Sequence, residues 1–256
     1  MTMSSQNPFT DDGHLAKEKE VLKSSAASTF STETAETLVN TTSPFTRGHS
    51  LFINARGKAL FRLPTPSSQL EIQICHPDAS LAYVSTREKL WSGNCTLSSP
   101  QRGDLISTEY RFGPNREPVI RLSNDSEKVA PEIKITGRWT SRTTSFVLPD
   151  GSTFEWRYVK EIGPGGKKER FVVLDKIEVS GRRRVAHLLR NEQTRPSKTS
   201  KCTAGNGGEL VFDRHALEVM DETLIVATCL LMLKKEVDRR RALQMFVLIG
   251  GASGGN

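Results

Sequence analysis

Cysteine is scarce in this chain, single-sign catalytic clusters are missing, and no apolar stretch is long. The four cysteines, Cys75, Cys95, Cys202 and Cys229, include no C-x-x-C pair, and the N-terminus opens on polar residues where a secretory signal would place a basic step and then an apolar stretch. The expectation is a reduced, intracellular protein without a disulfide framework. Sequons starting at Asn40, Asn94 and Asn124, like Arg102-Gly103-Asp104, then read as chance matches in a Ser/Thr-rich sequence. The longest apolar run, Leu224 to Leu233, is ten residues, half of the roughly 20 that a membrane-spanning helix needs. No transmembrane span is expected.

Chemistry is equally thin. The five histidines, His14, His49, His76, His187 and His215, stand singly, and no Ser or Cys sits in a nucleophile-elbow context. Cys75-His76 with Cys95 could supply three metal ligands, but that spacing fits no zinc pattern and a structural role is the simpler reading. Gly163-Pro164-Gly165-Gly166-Lys167-Lys168 looks at first like a phosphate loop. That motif needs Gly where Glu161 stands and Ser or Thr where Lys168 stands, so the segment is read as a hairpin loop with a basic tip. The chain is expected not to be an enzyme, and no cofactor or metal is implied.

What is present is positive charge, unevenly placed. Of 256 residues, 36% are hydrophobic and 25% charged, with a formal net charge of +7; such a length suits one large domain or two small ones. Residues 1–46 carry three Lys and six Asp/Glu, whereas residues 134–201 carry 16 basic and 7 acidic side chains. A concentrated excess of this kind favours an anionic partner. Residues 1–46 also hold many Ser and Thr and no sustained apolar period, which predicts a mobile tail.

From Leu51 onward short alternating runs are separated by turn residues, the pattern of an all-β barrel or sandwich. Leu51-Phe52-Ile53 and Ala59-Leu60-Phe61 flank Arg56-Gly57-Lys58 as a predicted hairpin. Leu70, Ile72 and Ile74 alternate with polar residues; Ile106, Tyr110 and Phe112 share a face, as do Ile133 and Ile135. Pro149-Asp150-Gly151 turns the chain between Phe146-Val147-Leu148 and a strand in which Phe154, Trp156 and Tyr158 point one way and Glu155 and Arg157 the other. Further strands are expected at 170–174, 176–179, 185–189 and 209–212, with weaker candidates at 81–84, 91–97 and 118–122. About a dozen result. Residues 194–208, polar and glycine-containing, read as a long loop.

The C-terminal part breaks this pattern. Asp221-Glu222 precede, and Lys234-Lys235 follow, a run that is apolar on every face, with Cys229 inside it as a small hydrophobe. Such a helix must be surrounded on all sides. The helix is placed at about 217–235, and its span from Leu217 to Leu233, about 26 Å, is close to that of an eight-residue strand. The fold predicted is therefore mainly β: a closed antiparallel barrel of about twelve strands over residues 47–249, around a hydrophobic central helix, with 250–256 as a loose glycine-rich end.

On the helix text Asp221 to Lys235 and the hairpin Ser145 to Tyr158, the chain resembles the Tubby C-terminal-like superfamily. That group includes the Tubby domain, the phospholipid scramblases and the LURP-one-related proteins, and the hairpin is similar to fungal members of unassigned function. The resemblance covers about residues 50–241 and implies the same barrel with a central helix. It also implies an anionic-lipid or phosphoinositide ligand, although no residue aligns with the Lys/Arg pair that reads a head group in Tubby. Departures are the 194–208 insertion and the continuation through Arg239-Arg240-Arg241 into Ala242 to Ile249.

Lys167, Lys168, Arg170, Arg182, Arg184 and Arg190 are the candidate lipid-binding residues, with Arg195, Lys198 and Lys201 extending the cluster. Alternation puts Arg182 and Arg184 on one face and Arg183 on the other. The expected partner is an anionic membrane surface, touched peripherally at the inner face of the plasma membrane, with protein partners left open. Nucleic acid is not expected, because the aromatic side chains that would stack on bases fall on the buried face. Scramblase-like lipid transport and a soluble interaction scaffold are the alternatives. For Ala242 to Ile249 two readings stand: a turn folded back on the barrel, which is favoured slightly, or a shallow insertion into an anionic leaflet.

Overall fold

In the computed structural model the residues described are 44–60, 63, 69–111, 113, 116–123, 131–137, 141–163 and 166–252. Expectations for the tail before residue 44, for Phe61 and Phe112, and for the last four residues lie outside them. Twelve antiparallel strands close into a barrel in which each strand pairs with its sequence neighbours and β1 closes on β12. They are β1 (Arg47–Lys58), β2 (Glu71–Cys75), β3 (Leu81–Thr86), β4 (Cys95–Ser99), β5 (Gly103–Glu109) and β6 (Val119–Leu122). After these come β7 (Glu132–Thr136), β8 (Thr144–Val147), β9 (Thr153–Ile162), β10 (Lys168–Glu178), β11 (Gly181–Leu189) and β12 (Ala204–Asp213). Helices α1 (Ala216–Val219) and α2 (Glu222–Ala252) follow. Closure leaves no exposed sheet edge.

Alternation decides which side chains fill the interior. Leu51 and Ile53, Ile74, Ile106, Ile120, Ile133 and Ile135, Phe146, Phe154 and Trp156 point inward and are almost fully buried. They form one cluster with Leu224 to Leu233 of α2. Within α2 every residue from Thr223 to Leu233 is buried, so no helical face meets water over three turns. The barrel is thus filled by its own C-terminal helix, and each such buried aliphatic or aromatic side chain contributes about 1.5–3 kcal/mol relative to exposure.

Several local expectations are corrected. Arg56-Gly57-Lys58 is not a turn but the end of β1, where the register with β12 shifts between Ile53 and Arg56. Gly57 takes φ +61, and a Cβ there would lie 2.3 Å from the Ala204 carbonyl oxygen. Its glycine serves a bulge, not a hairpin. Residues 170–179, read as two strands, run through Asp175 as the single strand β10. The end of the presumed 194–208 loop, Ala204 to Gly208, is strand β12, and Gly205, Gly207 and Gly208 are buried. A Cβ on Gly207 would stand 1.9 Å from the Ile53 carbonyl oxygen; glycine is required there by close approach, not by mobility.

The central helix also differs from the predicted 217–235. Met220 is extended and separates α1 from α2, and α2 continues for 31 residues. Lys234 and Lys235 do not end it, because Lys234 Nζ pairs with Asp238 one turn on at 3.0 Å and no Gly or Pro intervenes before Gly250. Ala242 to Ile249 is accordingly neither a turn nor folded back.

The two barrel mouths differ in charge. At the upper mouth α2 begins, with the Tyr83 hydroxyl donating to Glu222 Oε1 at 2.7 Å. At the lower mouth it leaves, where Gln244 Nε2 donates to the carbonyl oxygens of Ala59 at 3.2 Å and Leu60 at 2.8 Å. The described residues of 59–70, 87–94, 110–118, 137–143, 163–167 and 190–203 lie at the lower mouth, ten of them basic and three acidic. The upper-mouth loops 76–80, 100–102, 123–131, 148–152, 179–180 and 214–221 carry two basic and four acidic described residues.

Candidate functional site

A groove of about 750 Å³ opens at the lower mouth, between the β9–β10 hairpin and the 190–203 loop. Lys167, Lys168 and Arg170 come from the hairpin and the start of β10, Arg190 from the end of β11, and Arg195 and Lys201 from the loop. Arg47 joins them from the other end of the sequence, because β1 closes on β12 and its side chain pairs with Glu209. Seven cationic and three acidic residues line the groove.

Its charges divide into those already satisfied and those left open. Arg190 sends Nη1 and Nη2 to the Glu236 carboxylate of α2 at 2.7 and 3.1 Å. Glu236 also accepts from the Gly205 amide at 2.8 Å and from the Tyr158 hydroxyl. Burial alone would raise the Glu236 pKa, yet Arg190 and these donors hold it below the ordinary carboxylate value. Burial and the Glu236 charge push the Tyr158 phenol up, so it stays a donor. This network anchors the helix to the groove floor. Lys201 stands 3.9 Å from Glu192, both largely exposed.

Lys167, Lys168 and Arg170 are exposed and form no ion pair among the described residues. Arg195 is more telling. Its Nε and Nη1 are shut off from solvent and meet no acceptor among the described residues, a state that costs about 1–3 kcal/mol or more for a charged donor. Glu169 Oε2, which packs against Gly163, is also buried and meets no partner among the described residues. An incoming anion with several oxygens would complete this set of donors.

Of the six residues that the sequence singles out, the fold gathers Lys167, Lys168, Arg170 and Arg190 into the groove and leaves Arg182 and Arg184 outside. Those two share the outer face of β11, as alternation predicts, but both are engaged. Arg182 pairs with Glu155 and reaches to 3.9 Å of Asp175, and Arg184 Nη1 holds Glu161 at 2.9 Å. Arg183 lies at the upper-mouth end of β11, beside the register shift between β10 and β11. Arg195, read from the sequence as an extension of the cluster, reaches Lys168 by loop folding, and Arg47 was missed because only strand closure brings it there.

Beyond the groove, a second outer cluster forms where Phe171, Val173 and Leu189 pack against Val159. His187 lies beside it, its ring 5.2 Å from that of Phe171 and 4.8 Å from that of Phe45. Cys75 ends β2 at the upper mouth, whereas Cys95 begins β4 at the lower, so the candidate ligands Cys75, His76 and Cys95 are not brought together. Among the described residues no group of three or more His, Cys, Asp or Glu is arranged to hold a metal ion. None of the described helices is long and apolar enough to cross a membrane. Comparison of the chain with protein-family models, curated proteins and solved structures gives no match.

Proposed function

We propose that this barrel is a non-catalytic lipid-recognition module that binds an anionic membrane headgroup in the basic groove at its lower mouth. The observation that carries the reading is the convergence of Lys167, Lys168, Arg170 and Arg195, whose Nε and Nη1 meet no acceptor among the described residues, on one concave surface. A phosphate-bearing headgroup, such as a phosphoinositide, offers several acceptor oxygens to such donors. The resemblance to Tubby-like proteins points the same way and belongs to this proposal, as does a peripheral position at the cytoplasmic face of a membrane.

Co-sedimentation with vesicles tests it. Each basic residue near an anionic surface is worth about 1 kcal/mol, so Lys167→Glu, Lys168→Glu and Arg170→Glu together are expected to weaken binding to phosphatidylserine- or phosphoinositide-containing vesicles about a hundredfold or more. The matched control reverses Arg102, Lys176 and Arg214 near the upper mouth and is expected to lose far less. Equal losses would leave net charge as the whole cause. Accelerated lipid exchange between leaflets would favour the scramblase-like alternative, and absence of vesicle binding by the unmodified chain would leave the interaction scaffold.

A further inference from the structure

Helix α2 does not stop when the barrel ends. Gln244 ties it to the wall at the lower rim. Around and beyond that tie Leu243, Met245, Phe246, Val247 and Leu248 are all exposed, Phe246 at 71% and Val247 at 74%. These side chains cover every direction around the helix axis, so turning the stub cannot hide them against the barrel. Six residues, Leu243 to Leu248, measure about 9 Å along the axis, close to the roughly 5–10 Å to which an interfacial element buries itself. This is far short of the roughly 30 Å of a hydrocarbon core.

The surroundings select the occupant. The stub leaves the mouth whose loops are predominantly basic, and after Asp238 the sequence contains no Asp or Glu. Trp91 at 77% and Ile162 at 73% exposure lie at the same mouth. Two copies of the chain meeting stub to stub would bring two basic rims together, which is repulsive. An anionic bilayer takes the apolar stub and the basic rim at once.

We infer that the C-terminal turns of α2, Leu243 to Leu248, are a shallow membrane anchor that enters an anionic leaflet while the groove beside them takes a headgroup. The inference rests on the proposed lipid reading and adds the apolar contact and the orientation: lower mouth down, upper mouth away from the bilayer.

The test uses the full chain with phosphatidylcholine vesicles, with and without phosphatidylserine. Phe246→Trp, read as a difference from the unsubstituted protein, is expected to show a blue shift on vesicle addition and quenching by brominated acyl chains. Phe246→Ser with Val247→Ser changes only exposed positions, so folding is retained. It is expected to weaken partitioning about tenfold or more while leaving the salt dependence of the residual binding unchanged. The Lys167/Lys168/Arg170 reversal removes that salt-dependent part instead. Unchanged affinity of the serine variant, with no quenching at the Phe246→Trp position, would overturn the anchor and leave the headgroup reading standing. Quenching on pure phosphatidylcholine without any gain from phosphatidylserine would keep the anchor and remove the headgroup reading. A blue shift that needs no vesicles and grows with protein concentration would make a second copy the occupant and also overturn the anchor.

Discussion

His187 faces outward from the middle of β11, yet it is enclosed between the rings of Phe45 and Phe171, and its Nδ1 meets no partner among the described residues. Burial, and then the nearby Arg184 charge, lower its pKa from 6.5 to about 4. A histidine depressed in the folded state contributes stability that is fully present above its unfolded value and is lost as pH falls from about 6.5 toward 4. Over that window the loss should reach about 2–3 kcal/mol. His187→Phe should flatten this part of the profile, so urea midpoints of the two proteins should diverge on acidification. Parallel profiles would show that His187 is solvated when charged. The Arg190–Glu236 pair behaves differently: it is already satisfied, and removing one partner of such a buried pair costs about 3–5 kcal/mol. Sequence alone placed Arg190 among the candidate ligands because nothing local shows that Glu236, 46 residues on, neutralises it.

At the scale of elements, regular periods were legible and exceptions to them were not. Alternation alone identifies the Phe154–Trp156–Tyr158 face, and the all-round apolar run identifies the buried half of α2. The β1 bulge, the buried glycines of β12 and the unbroken β10 escaped, since a glycine demanded by a neighbouring backbone reads like a glycine demanded by a turn. The start of the folded region moves as well. The Phe45 ring packs tilted against that of His187, the Thr46 amide donates to Asp213 Oδ2 at 2.8 Å, and the Arg214 amide donates to the Thr46 carbonyl at 2.8 Å. Residues 44–46 are therefore part of the barrel rather than of the predicted 1–46 tail. Deleting residues 1–46 should cost about 2–3 kcal/mol more than deleting 1–43, from one half-buried ring and two hydrogen bonds. Equal denaturation midpoints for the two truncations would return the boundary to residue 47.

At the scale of the whole molecule, one topological fact organises the rest. Every second connection of an up-and-down barrel falls at the same mouth, so ten described basic loop residues scattered through the sequence between 87 and 201 collect at the lower one. The 134–201 excess was legible as a count, but its gathering around the helix exit depends on strand direction and closure. The groove, the unpaired cations and the protruding stub then share one end, while the upper mouth is weakly acidic. The most direct measurement of this account is hydrogen exchange of the full chain with and without anionic vesicles. Protection should appear in the 190–203 loop, the 163–167 hairpin and the stub after Gln244, with the 148–152 and 214–221 loops unchanged. Protection confined to the upper-mouth loops, or spread evenly over both, would contradict it.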